Sequence, residues 1–162
     1  MLTDDAHPFV TAWRTRDVHA WAAHFAPGIV LRSPIIESTF VGASTAAELF
    51  SALFESFDAF EVNEHFANGQ SHAFVWQGTL GRHTVEGVDL VRHNDDGEIA
   101  EITVYIRPLV GIATTATGFG PALAARRGRT RRLLTRATTL PLRALFIAID
   151  RIATRLIRTS ET

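Results

Sequence analysis

Residues 85–109 read VEGVDLVRHNDDGEIAEITVYIRPL. Apolar and polar residues alternate on both sides of Asn94-Asp95-Asp96-Gly97, a run of turn formers, so the stretch is predicted to be two β-strands joined by a tight hairpin. Alternation puts Val85, Gly87, Asp89 and Val91 on one face of the first strand. On the second strand, Ile102, Val104 and Ile106 share one face, and Thr103, Tyr105 and Arg107 the other. Asp89 is the anomaly: a carboxylate on an otherwise apolar face.

Upstream, FEVNEHFA and SHAFVWQGTL are two further strand-like runs. Asn68-Gly69 and Gly81-Arg82 separate the runs, and these links are too short for crossover helices, so an antiparallel meander is expected. Before the meander the period is helical. Residues 4–25, DDAHPFVTAWRTRDVHAWAAHF, read as a helix capped by Asp4 or Asp5, with a break into a second short helix at Arg16-Asp17. IVLRS is a short strand closed by Pro34. A helix over 45–57, capped by Ser44 or Thr45, carries Ala46, Leu49, Phe50, Leu53, Phe54 and Phe57 on one stripe. Helices followed by a curled sheet make an α+β fold with the helices covering one sheet face.

The chain of 162 residues is 46% hydrophobic, enough for a real core, and it holds no cysteine, which excludes disulfides and thiolate metal sites. Its first residues, MLTDDAHPFV, lack a basic stretch and a long apolar run, so no signal peptide is expected. No segment reaches the roughly 20 apolar residues of a spanning helix, and cytoplasm is the default compartment. All 16 Lys+Arg positions are Arg. Residues 1–111 hold 6 Arg against 15 acids, a balance of -9, and residues 112–162 hold 10 Arg against 2 acids, a balance of +8. The division expected is therefore a folded domain over 1–111 and a basic amphipathic helical extension over 112–162. In the extension, a helix from Pro141 would align Leu142, Leu145, Phe146, Ile149, Ile152 and Leu156. Three readings of it stay open: packing on the body or on a second subunit, peripheral attachment to an anionic membrane surface, or nucleic-acid binding. The last is least favoured, because ARRGRTRR lacks interleaved aromatics.

Four stretches, DVHAWAAHFAPGIVLRSP, FVGASTAAELF, VEGVDLVRHNDDGEIAEI and VYIRPL, together resemble the nuclear-transport-factor-2-like superfamily in its SnoaL-like bacterial branch, over roughly residues 5–111. The resemblance implies a cone: a curved antiparallel sheet wrapped around three helices (a cystatin-like roll), with a pocket at its open end and a homodimer through the outer sheet face. The ketosteroid isomerases of this superfamily supply a register. Their base falls on Ser33, their oxyanion tyrosine on Phe9 and their protonated aspartate on Asp89. With serine in place of the base, isomerisation by that proton shuttle is not expected. The Asp–Arg–Asp set of the limonene-epoxide hydrolases is absent from SHAFVWQG.

The resulting expectation is a pocket for a small hydrophobic cyclic molecule, with no cofactor and no metal. Asp89 is its candidate acid or base, with His65 as helper. Phe9, Trp13, Ser33, Phe50, Phe54, Trp76, Ile102, Val104 and Ile106 are its candidate lining. Two function classes follow: a cofactor-independent isomerase, cyclase, dehydratase or hydrolase, or a non-catalytic module that binds a ligand or partner. For the aromatic residues, core packing is the competing account. For Asp89 it is a structural hydrogen bond to a helix end, a histidine or an indole.

Overall fold

A computed structural model describes residues 7–108 and positions 111, 145, 148, 149 and 152. The chain divides into two compact units, Met1–Arg107 and Pro108–Thr162. In the second, Leu145, Ile149 and Ile152 are helical and exposed. The remaining expectations for the basic extension, and the capping role of Asp4 or Asp5, lie outside the described residues. Among the described residues, no helix is long and apolar enough to cross a membrane.

The first unit is α+β. Helices α1 (Pro8–Thr15), α2 (Val18–Ala22) and α3 (Ala43–Ser56) accompany six strands, β1 (Phe25–Arg32), β2 (Phe40–Val41), β3 (Ala59–Asn68), β4 (Ser71–Leu80), β5 (His83–His93) and β6 (Ile99–Arg107). They form one curved sheet in the order β2-β1-β6-β5-β4-β3. The meander β3 to β6 is antiparallel throughout, but β1 pairs with β6 in parallel. The sheet is thus mixed rather than purely antiparallel. A parallel pair needs a long connection, and the chain between β1 and β6 supplies one through α3 and four strands.

The predicted helix over 4–25 breaks where expected but ends sooner. His7 caps α1, its Nδ1 accepting from Phe9 N at 3.1 Å, and Pro8 sits in the first turn. Asp17 caps α2, its Oδ1 accepting from Ala20 N at 2.9 Å. Phe25 already belongs to β1, whose register with β6 shifts between Phe25 and Val30, around Pro27. A proline without an N–H fits such an irregularity. Helix α3 starts earlier than expected: Gly42 occupies its N-cap at φ 102, and no side chain caps it.

Between α1 and α2, Arg16 takes the left-handed conformation at φ 55. Its guanidinium donates to Phe54 O at 2.8 Å and Asp58 O at 3.1 Å, binding the helix break to the end of α3. The charged donor offsets the backbone cost. Arg16→Ala is therefore expected to destabilise the domain by about 1–2 kcal/mol, measured by urea denaturation.

The hairpin at 94–97 closes on Asn94. Its Oδ1 accepts from Asp96 N at 3.1 Å and Glu98 N at 2.8 Å, and its Nδ2 donates to Glu98 Oε2 at 3.0 Å. Arg107 pairs with Glu86 at 3.2 Å and Arg32 with Glu101 at 3.2 Å, cross-strand pairs near the surface. Such exposed pairs contribute little to stability.

The core is aromatic. Phe9, Trp13, Trp21, Phe50, Phe54, Phe57, Phe74 and Trp76 are all buried, from all three helices, the chain after α3, and the inner sheet face. Two glycines make room for it. A Cβ on Gly78 would stand 2.6 Å from the Phe57 ring, and one on Gly87 would collide with the Trp76 indole. Bare backbone at these points lets the rings lie directly on the sheet.

Candidate functional site

Strand pairing places Asp89 at the centre of the inner sheet face. It lies opposite Phe74 on β4 and Val104 on β6, while Trp76 stands opposite Gly87. Because Gly87 has no side chain, the Trp76 indole crosses it. Trp76 Nε1 reaches Asp89 and donates to Oδ1 at 2.9 Å. Asp89 is 2% exposed. Burial, partly offset by the Trp76 hydrogen bond, raises its pKa from 3.8 to about 7. The carboxylate among apolar residues is thus a buried acid with both protonation states within reach at neutral pH.

The pairing also settles which way His65 points. Simple alternation from Phe60 and Val62 would turn it outward. However, β3 shifts register between Val62 and Glu64, and beyond that bulge His65 pairs with Phe74 on the inner face. Glu64 is exposed instead. Phe74 stands between His65 and Asp89 in the ladder, which separates their Cα atoms by two strand spacings, roughly 10 Å. His65 stacks on Phe74 at 4.4 Å, and its Nε2 lies 2.8 Å from Nδ1 of His72.

The other candidates fall into distinct surroundings. Phe9 is fully buried and stacks on Phe74 at 4.4 Å. Trp13 stacks on Phe60 at 3.6 Å and meets the edge of Phe54 at 4.4 Å, and Phe60 meets Trp76 at 4.9 Å. Phe50 packs against Trp21 at 4.3 Å. Ile102 is buried, and Val104 and Ile106 are half-buried; they pair with Val91, Asp89 and Gly87 respectively. Ser33 sits in the loop after β1, where its Oγ accepts from Ile35 N at 3.2 Å.

A groove of about 510 Å³ opens between α1 and the start of β3, lined in part by Trp13, Arg14, Arg16, Phe60 and Glu61. Its volume falls within the range of small-molecule sites. Asp89 does not line it. Two rings in succession, Phe60 and then Trp76, link the groove's lining to that carboxyl.

Sequence reasoning missed the groove and a second cluster. His7, His72 and His93 each bring a ring nitrogen within 4.8 Å of the others. The signal for part of the cluster was present. His72 continues the alternation of Phe74 and Trp76, and His93 that of Val85, Gly87, Asp89 and Val91, so both belong to the inner face. His7 gave no signal, since only the tertiary fold sets the helix cap against the sheet.

Comparison with known proteins places this geometry. A steroid Δ-isomerase from Pseudomonas aeruginosa superposes with TM-score 0.70 at 24% identity, over 73% of this chain and 88% of that one. A protein with a cystatin-like fold from Silicibacter pomeroyi superposes with TM-score 0.66 at 22% identity, over 83% of this chain and 96% of that one. A nuclear-transport-factor-2-like protein from Mesorhizobium loti gives TM-score 0.57 at 21% identity, over 67% and 98%. At such identities the likeness is one of fold. No curated protein matches the chain in sequence. The family profile described as the SnoaL-like domain matches residues 6–102, and the chain belongs to that family.

Proposed function

We propose that this SnoaL-like domain binds a flat apolar ring system carrying a carbonyl oxygen, and that Asp89, as a neutral acid, donates a hydrogen bond to that oxygen. The observation behind the reading is the buried Asp89 carboxyl, held by Trp76 in an aromatic interior with its pKa raised to about 7. A carboxylate only accepts hydrogen bonds, whereas a protonated carboxyl donates. Trp13, Phe60 and Trp76 supply flat surfaces between the groove and Asp89. In this reading the Trp13–Phe60 stack parts and the Trp76 ring behind it shifts to admit the ligand, side-chain movements of a common kind on binding. The steroid isomerase likeness makes polycyclic ketones the first class to try. Ser33 is a serine in the loop after β1 and supplies no base, so the reading is binding and polarisation rather than proton shuttling.

Tryptophan fluorescence titration with a polycyclic ketone and with the matching hydrocarbon tests the proposal. Asp89→Leu is expected to weaken the ketone at least tenfold (about 1.4 kcal/mol) while leaving the hydrocarbon nearly unchanged. An equal loss for both ligands, or no ketone binding by the wild type, would overturn it. The sign of the pH effect follows from the proton's role. Above pH 7 the donor ionises, so ketone affinity should fall about tenfold per pH unit, while hydrocarbon affinity stays flat.

A second reading draws on the same value near 7, which suits an acid–base catalyst. Its mark would be Asp89-dependent exchange of the ketone's α-hydrogens in D₂O, followed by proton NMR.

A further inference from the structure

We propose that His7, His72 and His93 form a binding site for a borderline-soft divalent transition metal such as Zn²⁺, separate from the Asp89 carboxyl. The three rings come from the cap of α1, from β4 and from the end of β5. One ring nitrogen of each already lies within 4.8 Å of the other two. Tetrahedral Zn–N bonds of about 2.0–2.1 Å put ligand nitrogens roughly 3.3 Å apart, so the rings must close by about an ångström and a half at most. Side-chain rotation covers that distance without moving the strands.

The donor set selects the metal class. Three neutral imidazoles suit Zn²⁺, Cu²⁺ or Ni²⁺, and they give little purchase to Ca²⁺ or Mg²⁺, which take oxygen ligands. His7 is buried, whereas His72 and His93 are half-buried, so a solvent molecule has room for a fourth position. That is the three-ligand arrangement of an open zinc site.

Two of the rings are already oriented from behind. His72 Nδ1 lies 2.8 Å from Nε2 of His65, and His93 Nδ1 lies 3.4 Å from the Gln70 carbonyl oxygen. In the tautomers that donate from Nδ1, each ring keeps its Nε2 lone pair for a metal. A hydrogen bond from the far nitrogen is how protein sites fix a metal-binding imidazole. This gives His65 an orienting role on His72.

His7 must change to take part. Its Nδ1 now accepts from Phe9 N, so the neutral ring carries its proton on Nε2. When the metal takes the Nε2 lone pair, that proton leaves to solvent and another from solvent occupies Nδ1. No net proton is released, and Phe9 N–H loses its acceptor. The N-terminus of α1 behind His7 also opposes a dication. Together with the absence of an acid from the donor set, this keeps the affinity for Zn²⁺ below that of structural zinc sites.

The test uses the 162-residue chain free of any histidine tag, with Zn²⁺ alone as the probe in competition with a chromophoric chelator. One Zn²⁺ per chain is expected, and His72→Asn and His93→Asn should each weaken it at least 30-fold. The double variant His19→Asn/His24→Asn, at exposed positions of α2 and the turn after it, should bind like the wild type. A wild-type measurement does not depend on the variants folding. In NMR spectra, Zn²⁺ should shift the ring signals of His7, His72 and His93 and speed exchange of the Phe9 amide. Binding weaker than about 1 mM, undiminished binding in His93→Asn, or ring shifts confined to other histidines would overturn the site.

Discussion

Asp89→Asn is expected to stabilise the folded protein by about 2–4 kcal/mol at pH 8 and to change its stability little at pH 4. Burial raises the folded pKa of Asp89 to about 7 from 3.8. Between those values the unfolded chain gives up the proton and the folded chain keeps it. The folded state then binds more protons, so the Asp89 contribution to stability falls as pH rises from about 4 to about 7 and levels off above. A span of 7 less 3.8, or 3.2 pH units, corresponds to about 4 kcal/mol at most. Asparagine carries no charge and keeps an oxygen for Trp76 Nε1. Urea denaturation of both proteins between pH 4 and 8.5 gives the difference directly, and groups common to both cancel. A difference that does not vary with pH would show that the carboxyl pays no burial cost.

Gly87→Ala has the second large effect, a loss of about 3 kcal/mol or more. The added Cβ would meet Trp76 Cζ2 and Cε2 and stand 2.5 Å from the Tyr105 carbonyl oxygen. Tyr105 lies on the paired strand β6, so its carbonyl cannot retreat without breaking the ladder. The indole must move as well, and Asp89 then loses the donor that offsets its burial. A smaller ring removes the indole part of the clash and leaves the carbonyl part: Gly87→Ala with Trp76→Phe should cost less than the sum of the single changes, a non-additivity that urea denaturation measures. Additive losses, or a Gly87→Ala cost below about 1 kcal/mol, would contradict this packing.

What the sequence made legible was set by period. Alternation in residues 85–107 identified the inner residues Val85, Asp89, Val91 and Ile102 before any coordinates, because one buried face leaves a period-two mark. The helix break at Arg16-Asp17 was visible for a different reason: Asp17 is a good cap and Val18 begins a new apolar phase. Other features left no local mark. The bulge at Val62–Glu64 changes the face of His65 through one extra residue, which alternation alone cannot reveal. The parallel pairing of β1 with β6 depends on strand order rather than on composition. The hydrogen bond from Trp76 to Asp89 needs the pairing of β4 with β5 and a glycine at 87, two facts that combine only in the sheet.

Asp89 ties these strands of the account together, since its proton governs both the stability effect and the ligand reading. Carbon-13 NMR of the Asp89 carboxyl across pH 3–9, with the Trp76 Nε1–H resonance followed in the same samples, tests it most directly. A carboxyl midpoint near 7 is expected, with the indole proton shifting in step. A midpoint near 4, or an indole signal indifferent to it, would contradict a buried neutral acid at the centre of this domain.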